Sequence, residues 1–209
     1  MAPLAHRGLW LAPDQRNSLA AFRDAFSHGC GVELDVRDLD GTLVVSHDPP
    51  LAGALTFEAV VAAWREHDGS AGALAINVKA DGLDEMIAEA LRDTDPARSF
   101  VFDMSIPDAL HYVCAGIPYF ARHSEVEPEP ALYPNAAGVW LDDFAGWFIS
   151  EERIAAHLQA GKRVAVVSPE LHGRDHEVTW SEWRRWDVWR SPDVLLCTDH
   201  PTKAQEVFA

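Results

Sequence analysis

The stretch VELDVRDLDGTLVVSHD, Val32–Asp48, sets the architecture of this chain. Val32, Leu34 and Val36 alternate with Glu33 and Asp35. That period of two belongs to a strand with an apolar face and an acidic face. Asp40-Gly41 follows, a strong signal for a tight hairpin. Leu43–Ser46 is therefore expected to return antiparallel, delivering His47-Asp48 back toward the end of the strand.

Working outward, seven more short apolar runs read as strands: Pro3–His6, Ala75–Lys79, Phe100–Met104, Tyr119–Arg122, Gly138–Leu141, Arg163–Val167 and Val194–Thr198. Amphipathic segments lie between most of them. Leu19, Phe22, Ala25 and Phe26 make one apolar helical face, and Phe57, Val60, Val61 and Trp64 another. Met86, Ile87, Ala90 and Leu91 repeat the pattern, as do Ile149, Ile154, Ala155 and Leu158, closed by Gly161. Glu125–Asn135 holds Pro128, Pro130 and Pro134, so at most a short helix fits there. Strands alternating with helices imply a parallel sheet with helical crossovers. Eight such units in 209 residues give an α/β expectation: one (β/α)8 TIM barrel over residues 1–209, with a small hairpin arm after the second strand.

Composition narrows the function. The formal net charge is −16 and no basic patch is visible, which argues against a nucleic-acid surface. An anionic substrate would then need local positive charge, from a divalent cation or a few basic side chains. No run of about 18 apolar residues exists, so no membrane span is expected, and no signal peptide is read, which makes a cytoplasmic location the expectation. Cys30, Cys114 and Cys197 match no zinc spacing and read as buried reduced thiols. Trp180, Trp183 and Trp186 have helical spacing and read as packing.

The carboxyl ends of the strands gather the polar residues, and in such barrels the active site lies there. His6-Arg7-Gly8 ends the first strand, and Glu33 and Asp35 share one face of the second. Two carboxylates on one face repel, and a hard divalent cation between them relieves this; the plainer reading is an exposed strand face. Asn77 and Lys79 are again in phase at the end of the third strand. Lone histidines (His28, His67, His111, His157, His176) read as solvated or capping residues.

The joint pattern resembles the glycerophosphodiester phosphodiesterase family, whose relatives include the spider-venom phospholipases D. "AHRG" (Ala5–Gly8), "NSLAAFRDAFSHG" (Asn17–Gly29), Val32–Asp48 and "CTDHP" (Cys197–Pro201) look like its signatures. The resemblance implies a catalytic pair, His6 and His47, one imidazole as base and the other as acid, work for which a pKa near neutrality is suited. It implies Mg2+ or Ca2+ held by Glu33 and Asp35, and phosphate contacts from Arg7 and Lys79. The implied partner is a small phosphodiester; the oligomeric state stays open.

Three departures stand out. The family usually places an acidic metal ligand where this chain has Asn77, and an amide oxygen carries no charge. Asp103 on the next strand is offered as the replacement, against the simpler role of capping the helix that begins near Pro107. Only Pro49–Leu74, read mostly as one helix, stands where family members carry a sizeable insertion. After the seventh strand, Ser168–Arg174 replaces the family's Trp-Thr-x-Asn run. There Glu170 and His172 are candidate substrate contacts, or members of a solvated loop turning at Gly173. Three chemistries follow: a metal-dependent phosphodiester hydrolase, a lyase that stops at a cyclic phosphate, and a phosphate-binding barrel without turnover.

Overall fold

The computed structural model describes residues 1–67 and 69–209. Eight parallel strands form a nearly closed barrel: β1 (Ala2–His6), β2 (Gly31–Leu39), β4 (Leu74–Val78), β5 (Ser99–Phe102), β6 (Phe120–His123), β7 (Gly138–Leu141), β8 (Arg163–Val167) and β9 (Val194–Thr198). β3 (Thr42–Val45) is the hairpin arm, paired antiparallel to the outer half of β2. Asp40 and Gly41 both have positive φ, 50° and 77°, as a two-residue hairpin turn requires. The ladder runs β5-β4-β2-β1-β9-β8-β7-β6. Across the remaining seam β5 and β6 meet through a single bridge, Val101 to Tyr119.

Aromatic side chains inside the barrel reinforce that seam. Phe100 stacks on Phe120 at 3.6 Å between ring centroids, and Phe102 on Trp140 at 3.8 Å. With Leu4, Leu195 and Cys197 they fill the interior, so the barrel is a packed core and not a pore. The outward faces of the strands meet the helices: α1 (Leu19–Ser27), α2 (Phe57–Arg65), α3 (Asp84–Leu91), α4 (Ile106–Ala115), α5 (Glu151–Gln159), α6 (His176–Trp183) and α7 (Pro201–Val207). Hydroxyl N-caps start four of them, at Ser18, Thr56, Ser105 and Ser150. The proline-rich stretch after β6 makes only a 3-10 turn, Tyr133–Asn135.

Several expectations need correction. The cap of α4 is Ser105, whose Oγ accepts the Asp108 amide at 3.3 Å, and not Asp103. Helix α2 takes only nine residues of Pro49–Leu74. Cys30 and Cys197 are buried thiols, but Cys114 is exposed. It stands two residues past the buried Tyr112, and positions two apart do not share a helix face. His157 is buried, not solvated: its ring lies between His123 Nδ1 and the Tyr133 hydroxyl, each at 2.9 Å. Trp180 and Trp183 are buried, as their spacing implied. Among the described residues, no helix is long and apolar enough to cross a membrane.

Candidate active site

Parallel pairing fixes the first layer of the site. Register sets His6 beside Glu33 on β1 and β2, and Asp35 beside Asn77 on β2 and β4. Ala5 pairs with Thr198, so Asp199, one step past β9, comes alongside His6. The contact is direct: His6 Nδ1 lies 2.7 Å from Asp199 Oδ1. With Nδ1–H donated to that carboxylate, the free Nε2 faces the mouth, 3.9 Å from Glu33 Oε2.

Beyond His6 the chain turns sharply. Arg7 and Gly8 both have positive φ, 59° and 92°. A Cβ on Gly8 would sit 2.7 Å from Ala21 Cβ, so the Arg-Gly turn packs against α1 with no room for a side chain. This aims the Arg7 guanidinium at Asp35, Nε to Oδ2 at 3.2 Å. Asn17 Nδ2 donates to the same oxygen at 3.0 Å, and Lys79 Nζ stands 3.6 Å from Oδ1.

Glu33 and Asp35 are almost fully buried, 2% and 0% exposed. Burial first, then the charge of Asp35, pushes the Glu33 carboxyl up to about 7, against the opposing pull of His6 and Arg7. Asn77 Nδ2 donates to Glu33 Oε1 at 3.2 Å. Four buried oxygens in this cluster lack a hydrogen bond: Glu33 Oε2, Asp35 Oδ1 and Asn77 Oδ1 on the strands, and Asn17 Oδ1 beside them. Unsatisfied buried oxygens on three adjacent side chains are the donor set a hard divalent cation takes. Glu33, Asp35 and Asn77 therefore fit Mg2+ or Ca2+.

His47 sits on the strap beyond the hairpin arm. Ser46 N bonds Asp35 O at 3.0 Å and Arg37 Nε bonds His47 O at 3.0 Å, which folds the strap back onto β2. The ring is half exposed, with Nδ1 2.9 Å from Asp48 Oδ1. His6, Arg7, Glu33, His47, Asn77 and Lys79 line one side of a cavity of about 520 Å3 at the barrel mouth. A larger groove, about 720 Å3, lies between the hairpin arm, α2 and α3; its charged lining is Glu58, Arg65, Glu85, Glu89 and Asp93, with no histidine.

The opposite wall differs from the expectation in detail. Arg122, at the end of β6, bridges Asp103 and Asp142, with its Nε 2.9 Å from Asp103 Oδ1. Asp103 thus stands at the mouth as the partner of Arg122, with both oxygens engaged. His172 lines the cavity and its Nε2 lies 2.6 Å from Asp142 Oδ1. Burial pushes Asp142 up, but His172 and Arg122 outweigh it and hold the carboxyl below its ordinary range. Glu170 turns away from the cavity. It accepts from the Asp199 amide at 3.1 Å and holds the hydroxyls of Ser168 and Thr198, tying the ends of β8 and β9 together. Asp199, Asn17 and Arg122 were not singled out from the sequence. Asn17 and Asp199 lie within the quoted NSLAAF and CTDHP stretches, which was the available signal; Arg122 had none.

The fold is a (β/α)8 barrel, and solved glycerophosphodiester phosphodiesterases share it. No family model matches the chain, and no curated protein matches it by sequence. Among solved structures, a candidate glycerophosphodiester phosphodiesterase from Galdieria sulphuraria superposes with a TM-score of 0.75 at 17% identity, over 99% of this chain and 97% of that one. The glycerophosphodiester phosphodiesterase of Agrobacterium tumefaciens gives 0.68 at 20%, over 100% and 97%. A Ca2+-dependent phosphatidylinositol-specific phospholipase C from Streptomyces antibioticus gives 0.58 at 12%, over 99% and 96%.

Proposed function

We propose that this protein hydrolyses a small phosphodiester of the glycerophosphodiester type, using His6 and His47 as base and acid and a divalent cation on Glu33, Asp35 and Asn77. The observation that carries the reading is the orientation of His6. Asp199 fixes its tautomer, so Nε2 points into a cavity that Arg7, Lys79 and His47 share.

Mg2+ or Ca2+, when bound, supplies positive charge to the non-bridging phosphate oxygens. Arg7 and Lys79 add to that charge from the chain itself, Arg7 as a planar fork and Lys79 as a point charge. Asp35 orients both, with Arg7 Nε at 3.2 Å and Lys79 Nζ at 3.6 Å. His6 Nε2 takes a proton from the attacking water, while Asp199 Oδ1 holds the ring through Nδ1. His47 returns a proton to the leaving alkoxide. The Arg122, Asp142 and His172 wall faces the alcohol portion of the substrate.

The test is release of sn-glycerol 3-phosphate from a panel of glycerophosphodiesters with Mg2+, Ca2+ or excess chelator, with His6→Ala alongside. Metal-dependent turnover lost in the variant supports the reading. Folded, metal-loaded protein inactive on every member refutes it in favour of a binding barrel. A cyclic phosphate product would make the enzyme a lyase.

A further inference from the structure

A second ligand set lies outside the mouth, between the first turns of α3 and α4. Asp84 opens α3, and Asp108 and His111 stand one turn apart on α4. His111 Nδ1 is 3.8 Å from both Asp84 Oδ1 and Asp108 Oδ1. Among the described residues, this is the only trio of His, Cys, Asp or Glu whose ligand atoms all lie within 4.8 Å of one another.

Acidic residues in a first helical turn ordinarily serve the helix. Asp108 instead reaches out of α4 to the loop before α3, where its Oδ1 accepts the Gly82 amide at 2.8 Å. That bond leaves two buried atoms unexplained. Asp108 is 4% exposed, and its second oxygen, Oδ2, has no hydrogen-bond partner. Tyr112, wholly buried, has an equally unpartnered hydroxyl. That phenol lies within the field of the same carboxylates: burial first, then Asp108, Asp84 and Asp81, drives its pKa up. Polar atoms so enclosed normally have partners.

We propose that Asp84, Asp108 and His111 bind a Zn2+-class divalent cation at a structural site separate from the catalytic mouth. One imidazole nitrogen and two carboxylates suit Zn2+ better than Mg2+ or Ca2+, which take oxygen ligands. Tetrahedral ligands at about 2.0 Å from the metal stand roughly 3.3 Å apart. The two His111 separations of 3.8 Å need a closure of about half an ångström, and all three ligand atoms already lie within 4.8 Å of one another. Water fills the remaining position on the exposed His111 side. The ion would clamp the start of α3 to α4, the helices that follow β4 and β5 from the mouth.

Zn2+ titration of metal-stripped protein by calorimetry, with thermal melts, tests this in wild type, His111→Gln, Asp84→Asn and Glu33→Gln. Wild type should bind one Zn2+ equivalent that survives Glu33→Gln and weakens at least tenfold in both other variants. Zn2+ should raise the melting temperature of wild type, and not of His111→Gln, whose metal-free melt should match wild type. Equal uptake by wild type and His111→Gln would overturn the proposal. So would uptake that only Glu33→Gln removes, or none at all.

Discussion

At the residue scale, His6 and Asp199 act as a pair. Asp199 touches no reacting atom in the scheme above; it fixes which imidazole nitrogen is free. Asp199→Asn should lower kcat by on the order of 10- to 100-fold with little change in KM, because the tautomer and not the binding surface is lost. Steady-state kinetics would show the split, and an equal rise in KM would argue for a general disturbance instead. Asn77 is the second test. A third carboxylate at that position should tighten Mg2+ or Ca2+ binding by on the order of tenfold in Asn77→Asp. Asp103→Ala should leave cation affinity within about twofold, since its oxygens serve Arg122. Calorimetry reads both, and a collapse of affinity in Asp103→Ala would make Asp103 a ligand after all. His157 governs a pH effect. Burial, followed by the charges of His123 and Arg153, depresses it to about 4. A histidine with a depressed folded pKa contributes stability that is complete above its unfolded value and lost as pH falls toward the folded one. Melting temperature should therefore fall between about pH 6.5 and pH 4 by the equivalent of roughly 2 kcal/mol, on the order of 4–8 °C. His157→Gln should flatten that part of the profile.

At the element scale, close approach decides which strands tolerate substitution. Gly31 begins β2, and a Cβ there would stand 2.4 Å from the Ala73 carbonyl oxygen, which is backbone and has little freedom to retreat. Gly31→Ala should cost about 2–4 kcal/mol, read as a shift in the denaturation midpoint. A shift under about 1 kcal/mol would mean that the β2–β4 pairing yields more readily than a packed ladder does. The same strand shows what was legible beforehand. The alternation from Val32 to Val36 and the Asp40-Gly41 turn were readable because they rest on local geometry, a period of two and positive φ. The Glu33–Asn77 bond and the Arg122 bridge were not, because they depend on strand register and reach across 44 and 19 to 20 residues.

At the scale of the whole molecule, a net charge of −16 surrounds a mouth whose cations are Arg7, Lys79 and Arg122. The long-range field repels an anionic diester, while the close contacts attract it. Salt screens the first more than the second, since the Debye length is about 8–10 Å near physiological ionic strength. For an anionic substrate, kcat/KM should therefore rise as salt goes from about 0.01 to 0.15 M. A steady fall over that range would show that the mouth itself dominates encounter.

The sequence by itself determined the barrel, the hairpin arm, the weak unit after β6, and the polar residues at the ends of β1, β2 and β4. Each follows from neighbours in the chain: periodicity, turn chemistry, and proline's missing amide. Tertiary structure alone decided which of those groups serve each other. It set Asp199 against His6, turned Glu170 inward to the ends of β8 and β9, gave Asp103 to Arg122, and buried His157 between His123 and Tyr133. The reason is physical. A side chain's partners in a closed sheet are fixed by register and by which strands become adjacent, and adjacency between β1 and β9 joins the two ends of the chain.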